Sequence, residues 1–349
     1  MSSTLTKTHF PPQVILQGKF QEALSSLAGN RVLVVGSSRS AGLADWPALF
    51  PKAEVEVFAE SAPHSPQEVL DKLLTVAEVQ RPDTLIAIGS SSAIDLAKAV
   101  FDSISPEFIA IPTSLGGSEM TNVYGIRTSK GTKEGNGGLQ YLARKVIYDP
   151  GLLITIPGHE LAASAINSWA HCIEAFYSVK PHWFGKAAAV QGGRAWPTLL
   201  QSTQKKPLDI NLCEQLFEAA SLAGFAINTC GLGLHHAVCH VIGGATGIRH
   251  GIINAIALPH TLAMNREIAP DAIRKLEKAF VIDDIVIFAE QLVRQLGLPD
   301  RLDAMNVSHE MVQPLSEALM HAHHLKFNPA AIQQKHADRL MEHIFSGAS

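Results

Sequence analysis

The stretch LIAIGSSSAIDLAKAVF, residues 85–101, decides the fold class of the first half of the chain. Leu85–Ile88 is a continuous apolar run, the mark of a strand buried on both faces. Ala93–Phe101 carries its apolar residues at helical spacing, and Gly89-Ser90-Ser91-Ser92 turns the strand into the helix. The same alternation continues outward. Val32–Val35 is a short apolar run ending in Gly36-Ser37-Ser38, Ala53–Phe58 alternates apolar with acidic residues, and Phe108–Ile111 is a further buried run. Pro66–Val79 reads as a helix. Strands separated by helices of this length build βαβ units, so the reading is an α/β domain with a Rossmann-like parallel sheet. Such a sheet binds ligands at the carboxyl ends of its strands, where the strand order reverses.

Two glycine/serine turns sit at such ends. One is Gly89-Ser90-Ser91-Ser92. The other is Gly116-Gly117-Ser118-Glu119, after Phe108–Ile111 and Pro112-Thr113-Ser114. Small residues let the backbone approach an anion, and the N–H groups of a helix start face it. A pyrophosphate and its ribose would engage Gly89, Ser90, Ser91, Ser92, Asp95, Thr113, Ser114, Gly117 and Ser118, with Ser37 at the end of the first strand. The competing reading is a pair of tight turns in which Ser92-x-x-Asp95 is a capping box. No G-x-G-x-x-G or G-x-x-x-x-G-K-[ST] is present, so the phosphate-binding loop of nucleotide hydrolases is not expected.

Beyond Asp149-Pro150 the pattern changes. Leu161–Tyr177, Lys186–Leu200, Leu212–Ile227, Leu234–Ile242, Ile252–Met264, Pro270–Ala279, Asp283–Leu296 and Ala331–Ile344 return apolar residues at three and four, as helices do. Gly243-Gly244 reads as the end of the Leu234–Ile242 helix, and Thr128–Leu139 as a glycine-rich loop. The division is a parallel α/β domain over 1–152 and an all-α domain over 153–349. A chain of 349 residues supports two such cores. The net charge of −4, without a basic run, excludes a nucleic-acid footprint. No apolar stretch approaches the roughly 20 residues that span a bilayer, and MSSTLTKTHFPP lacks the layout of a signal peptide. Cys172, Cys213, Cys230 and Cys239 form no CxxC pair and read as reduced thiols of a cytoplasmic protein.

The 16 histidines matter by their clustering. Asn167 and His171 stand four apart and share a helix face. His236 and His240 share a face of Leu234–Ile242, beside His235 and Cys239, and His250 follows from the next turn. Two such groups, converging, build a three-histidine metal site with a carboxylate as fourth ligand. Here the carboxylate position holds an amide. Polar rings in apolar helices cost several kcal/mol unless each finds a partner, so the cluster is either a site or a satisfied core network. His9, His64, His159, His182, His309, His321, His323, His324, His336 and His343 read as structural or surface residues. Arg249 either offers a cation to a carboxylate or faces solvent.

The chain resembles the iron-containing alcohol dehydrogenase superfamily, and within it the maleylacetate reductases. The similarity runs through HFPPQVILQG at the start, GSSSAIDLAKA at 89–99, IPTSLGGSEMTNVYGI at 111–126, VIYDPGLLITIP at 146–157, NSWAHCIEAFYS at 167–178, LHHAVCHVIGG at 234–244, ALPHTLAMN at 257–265 and the closing FNPAAIQQKHADRLMEHIF. The resemblance implies a dehydroquinate synthase-like fold, an NADH or NADPH cofactor, a small anionic organic substrate and a homodimer. It places the metal ligands of metal-dependent members at Asn167, His171, His236 and His250. It also implies that members with Asn at the first position work without metal. In that case His171, His236 and His250, at least partly protonated, would bind substrate with Asn167 and Arg249, and His240 would donate or relay a proton. Gly36-Ser37-Ser38-Arg39 carries no carboxylate for a ribose 2′-hydroxyl, so NADPH is tolerated, with Arg39 available to a 2′-phosphate.

Overall fold

A computed structural model describes residues 12–25, 29–129, 131–180, 182–204 and 208–347. His9 and the first residues of the HFPPQVILQG similarity lie outside them. The chain forms two compact units: 12–156 with 208–217, and 157–204 with 218–347. The division expected at 152/153 thus differs in two places. Residues 153–156 stay with the first unit. So does the start of the helix Ile210–Cys230, where Phe217 sets its ring 5.1 Å from that of Tyr148.

Among the described residues the first unit has eight strands: β1 Val14–Gln17, β2 Arg31–Val35, β3 Glu54–Phe58, β4 Thr84–Gly89, β5 Glu107–Pro112, β6 Ile126–Arg127, β7 Lys133–Glu134 and β8 Lys145–Tyr148. Six form one parallel sheet in the order β1-β8-β5-β4-β2-β3. β6 and β7 pair antiparallel as a separate hairpin in the stretch read as a loop. Every residue of β4 is buried, as its unbroken apolar run requires. Val32, Val34, Ile86, Ile88, Ile109 and Ile111 pack with Phe20 and Trp46 in one core layer. Leu33, Val35, Leu85, Ala87, Phe108 and Ala110 alternate with them and are equally buried, so both faces of the sheet are covered. After β2 the chain goes outward to β3, then returns to the other side of β2 as β4. The order therefore reverses between β2 and β4.

A buried ammonium ties the loop after β5 to the helix Ser91–Ala99. Lys98 Nζ donates to Ser118 O at 2.6 Å, Thr121 O at 2.8 Å and Val123 O at 2.9 Å. Burial lowers the Lys98 pKa to about 8, against the pull of Asp95 and Glu119. Glu119 is also buried and accepts from Tyr148 Oη at 3.1 Å.

The second unit is helical. Its long helices are Gly158–Tyr177, Trp183–Ser202, Leu234–Thr246, His250–Ile268, Pro270–Phe280, Ile285–Gln295 and Gln334–Ser346, with the end of Ile210–Cys230. The Gly243-Gly244 pair does not end its helix. The helix runs on to Thr246 and stops at Gly247, whose φ is +70°. Gly243 instead lets the Ile253 side chain of the next helix approach, since a Cβ there would stand 3.2 Å from Ile253 Cδ1. Cys172, Cys213, Cys230 and Cys239 form no disulfide and are fully buried, and burial pushes the thiols of Cys172, Cys230 and Cys239 up. No single helix among the described residues is long and apolar enough to cross a membrane.

Glu119 gives the first unit a pH-dependent cost. Burial raises its pKa from 4.5 to about 7, although backbone and Tyr148 hydrogen bonds and Lys98 oppose the shift. Between those values the folded chain keeps a proton that the unfolded chain releases, so this group lowers stability as pH rises through that window. Glu119→Gln removes the charge and keeps an acceptor for Tyr148. Urea unfolding at pH 8 should show the variant more stable than the parent by up to about 3 kcal/mol. At pH 4.5 the two should be level. An equal gain at both pH values would refute this account.

Candidate active site

Two turns meet at the carboxyl ends of β4 and β5, next to the reversal of strand order. Gly89 ends β4 with φ +150°, and a Cβ there would stand 2.8 Å from Ala93 Cβ, so only glycine turns this strand into the helix Ser91–Ala99. Thr113 N donates to Gly89 O at 2.8 Å and leads β5 into Ser114 and the second turn. A Cβ on Gly116 would collide with Ser91 Oγ, which brings the two turns together. Ser90 is the exposed N-cap of the helix and makes no side-chain cap, which leaves the helix start open to an anion.

The capping box imagined for Ser92 and Asp95 is absent. Ser92 Oγ accepts from His64 N at 3.1 Å. Asp95 accepts from Ser118 Oγ at 2.5 Å and from Gly125 N at 3.3 Å. Asp95 and Ser118 thus hold the second turn in place, after Gly117 with φ +78°. Ser37 caps the short helix Ser38–Ala41 through Ser40 N at 3.2 Å. Arg39, expected near a 2′-phosphate, donates to Thr155 O at 3.1 Å and Thr155 Oγ1 at 3.3 Å.

In the helical unit the structure brings Asn167, His171, His236, His240 and His250 together. Asn167 and His171 lie one turn apart on Gly158–Tyr177, and His236 lies in the first turn of Leu234–Thr246. The rings of His171 and His236 stack, with centroids 4.6 Å apart and planes 24° apart. His236 stands 5.7 Å from His250 and 6.1 Å from His240, and His240 stands 5.6 Å from His250. His171 and His236 are buried, whereas His240 and His250 are partly exposed.

One carboxylate organises this cluster. Glu174, fully buried, accepts from His236 Nδ1–H at 2.6 Å through Oε2. Its Oε1 accepts from His235 N at 2.8 Å and His236 N at 3.4 Å, two N–H groups of the kind a helix start leaves without partners. Burial pushes the Glu174 carboxyl up, against His235 and the backbone N–H groups of Gly233 and His235. Asn167 meets the other face of the same ring, Oδ1 to Nε2, at 3.0 Å. An amide suits Nε2 in either state. It accepts through Oδ1 when the nitrogen carries a proton and, turned over, donates through Nδ2 when it does not.

His171 departs from the expectation of partial protonation. Burial, with His236 and His235 beside it, holds its pKa well below the ordinary value, so the ring is neutral. His235 is a core residue: its Nε2 lies 2.7 Å from Asn254 Oδ1 and its Nδ1 lies 3.1 Å from Thr261 Oγ1. Asn254 in turn donates to His250 O at 2.8 Å. Arg249 pairs with Glu160 at 2.7 Å, and both side chains are partly exposed.

Residues 11–150 match the family model described as iron-containing alcohol dehydrogenase, and residues 161–345 match the Fe-containing alcohol dehydrogenase family, C-terminal. The chain belongs to the iron-containing alcohol dehydrogenase family. It is an oxidoreductase of the maleylacetate reductase branch. The maleylacetate reductase of Pseudomonas sp. (strain P51) is 29% identical over 327 residues, 93% of this chain and 92% of the relative. The crystal structure of maleylacetate reductase from Rhizobium sp. strain MTP-10005 has a TM-score of 0.87 at 28% identity, over 100% of this chain and 99% of that one. An iron-containing alcohol dehydrogenase from Corynebacterium glutamicum has a TM-score of 0.87 at 27% identity, with the same coverage.

The family name implies iron, and the residues as placed do not fit a divalent ion. Asn167 supplies an amide oxygen where a carboxylate would bring charge, and that oxygen lies 3.0 Å from His236 Nε2. The donors are neutral, so nothing among them offsets the ion's charge. No group of three or more His, Cys, Asp or Glu among the described residues is arranged to hold a metal.

Two members of this cluster escaped the sequence reading. Glu174 follows His171 by three residues in an otherwise apolar helix, and an acid there is rarely buried without a partner, so its signal was present. His324, read as structural or surface, places its ring 5.1 Å from His240, a contact that no local pattern announces.

Glu174→Gln should test the clamp. It keeps the shape and weakens the hold on His236, so kcat/KM should fall by about 10–100-fold, the usual effect of losing such an orienting carboxylate. Glu174→Ala should also lose about 1–3 kcal/mol of stability, because buried N–H groups lose their acceptor. Steady-state assays and thermal melts on both variants check this; an unimpaired Glu174→Gln enzyme would rule it out.

Proposed function

We propose that the protein is a maleylacetate reductase that works without metal: maleylacetate, NAD(P)H and a proton give 3-oxoadipate and NAD(P)+. The observation that supports this reading most is the hydrogen bond between Asn167 and His236 at 3.0 Å, in a chain of the maleylacetate reductase branch. An amide at this position removes the charged ligand and offers His236 Nε2 a neutral hydrogen-bond partner instead.

The glycine/serine turns Gly89–Ser92 and Gly116–Ser118 hold the pyrophosphate, with backbone N–H groups at the helix start opposing its charge. When bound, the reduced nicotinamide supplies the hydride. Addition to an enone leaves negative charge on the former carbonyl oxygen, and hydrogen-bond donors must meet it. His171, kept neutral by burial, offers one N–H. Glu174 fixes His236 with Nδ1–H directed to the carboxylate and sets what Nε2 presents. His240, partly exposed and 6.1 Å from His236, donates the proton to carbon or relays it from solvent.

Metal dependence is tested by assaying maleylacetate reduction after exhaustive chelation. Full activity is expected; a loss that Zn or Fe restores would sink the metal-free reading. Asn167→Asp should move the enzyme the other way. It should bind Zn about 10–100-fold more tightly than the parent and lose activity in chelator. With Arg39 held by Thr155, and the carboxylate of Glu60, the bridge partner of Ser37, held by Lys72 at 2.7 Å, kcat/KM for NADH and NADPH should agree within about tenfold, a difference of about 1.4 kcal/mol.

A further inference from the structure

His324 sits in a segment that is firmly held. The 3₁₀ helix His323–Phe327 ends at Asn328, which is buried. Asn328 Oδ1 accepts from Leu234 N at 3.3 Å, at the start of the helix that carries His236 and His240. Asn328 Nδ2 donates to Asn265 Oδ1 at 2.9 Å and to Ala330 O at 2.9 Å, and Val179 N donates to Phe327 O at 3.1 Å. These anchors place the His324 ring 5.1 Å from His240, which is itself 5.6 Å from His250. All three rings are partly exposed, above the buried pair His171 and His236.

We infer that His324 is a specificity-determining residue that forms, with His240 and His250, a rim of imidazoles seating one carboxylate of the substrate. This rests on the reading of the protein as a reductase of a dicarboxylic enone. The seat needs no charge on the rings. A neutral imidazole has one N–H donor, and a hydrogen bond to an ionised carboxylate is among the stronger kinds. The rim separates two tasks: the reacting carbon chain belongs to the buried floor, and the distal carboxylate to the partly solvated edge. That edge avoids most of the cost of burying a second negative charge.

Binding of adipate, a saturated six-carbon dicarboxylate, tests the seat without turnover. Calorimetry would compare the parent with His324→Leu and His324→Gln, each in the presence of NADP+. His324→Leu should weaken adipate by about tenfold or more, the worth of one hydrogen bond to a charged group. His324→Gln retains a donor and should recover most of that loss. Dimethyl adipate, of equal length and no charge, should bind both variants and the parent alike. His323→Leu, one residue away and exposed, should leave adipate affinity unchanged.

With maleylacetate, His324→Leu should raise KM by a similar factor and leave kcat within about threefold. Adipate affinity that is unchanged in His324→Leu, equally lost in His323→Leu, or absent in the parent would overturn the seat. Absence of maleylacetate turnover in the parent would overturn the proposed function alone, because the adipate comparison reads the seat independently.

Discussion

The polar centre of the helical unit depends on the Glu174 carboxylate. A buried carboxylate without partners costs several kcal/mol, so its position is tenable only if every lone pair is engaged. Here the partners are the N–H groups of His235 and His236, the Nδ1–H of His236 and the Tyr177 hydroxyl at 3.4 Å. Asn328 accepts from Leu234 N just before them. The first three N–H groups of Leu234–Thr246 are therefore satisfied within the protein. That helix start is a structural joint, and the orientation of His236 follows from it.

The joint also explains why an amide and a carboxylate at position 167 lead to different chemistry. His236 already has one carboxylate on Nδ1. A second on Nε2 would face a protonated nitrogen or, failing that, a cation. The amide needs neither, because it can accept or donate. Burial meanwhile holds His171 neutral. The floor of the cluster thus carries little net positive charge, and its interaction with an anion rests on oriented dipoles. Oriented donors in a water-poor site lose little energy to reorganisation when charge develops.

The sequence carried the architecture because periodicity carries it. The run at 85–88 predicted a strand buried on both faces, and the helices of the second half showed in their returns at three and four. β1 and β8 did not show. Val14–Gln17 is mostly exposed and its pairing with β8 comes from remote chain, so no local alternation marks it. Gly243-Gly244 misled because glycine has two uses. It stops helices through positive φ, and it also lets helices touch; packing against Ile253 selected the second. The five clustered positions from Asn167 to His250 were legible from spacing. Their electrostatics were not, since the neutral state of His171 depends on burial and on rings from another helix. Arg39 and Arg249 show the same limit: their acceptors, Thr155 and Glu160, come from remote chain that no local pattern names.

The buried cysteines have a practical consequence. A thiol reacts as thiolate, and only where reagent reaches it, so all four are silent in the folded chain. Cys213 lies in the sheet unit, and Cys172, Cys230 and Cys239 lie in the helical one. A labelling reagent therefore reads the opening of each unit by which cysteine it modifies. The unmodified chain carries its own pair of clocks for local unfolding, without any introduced probe.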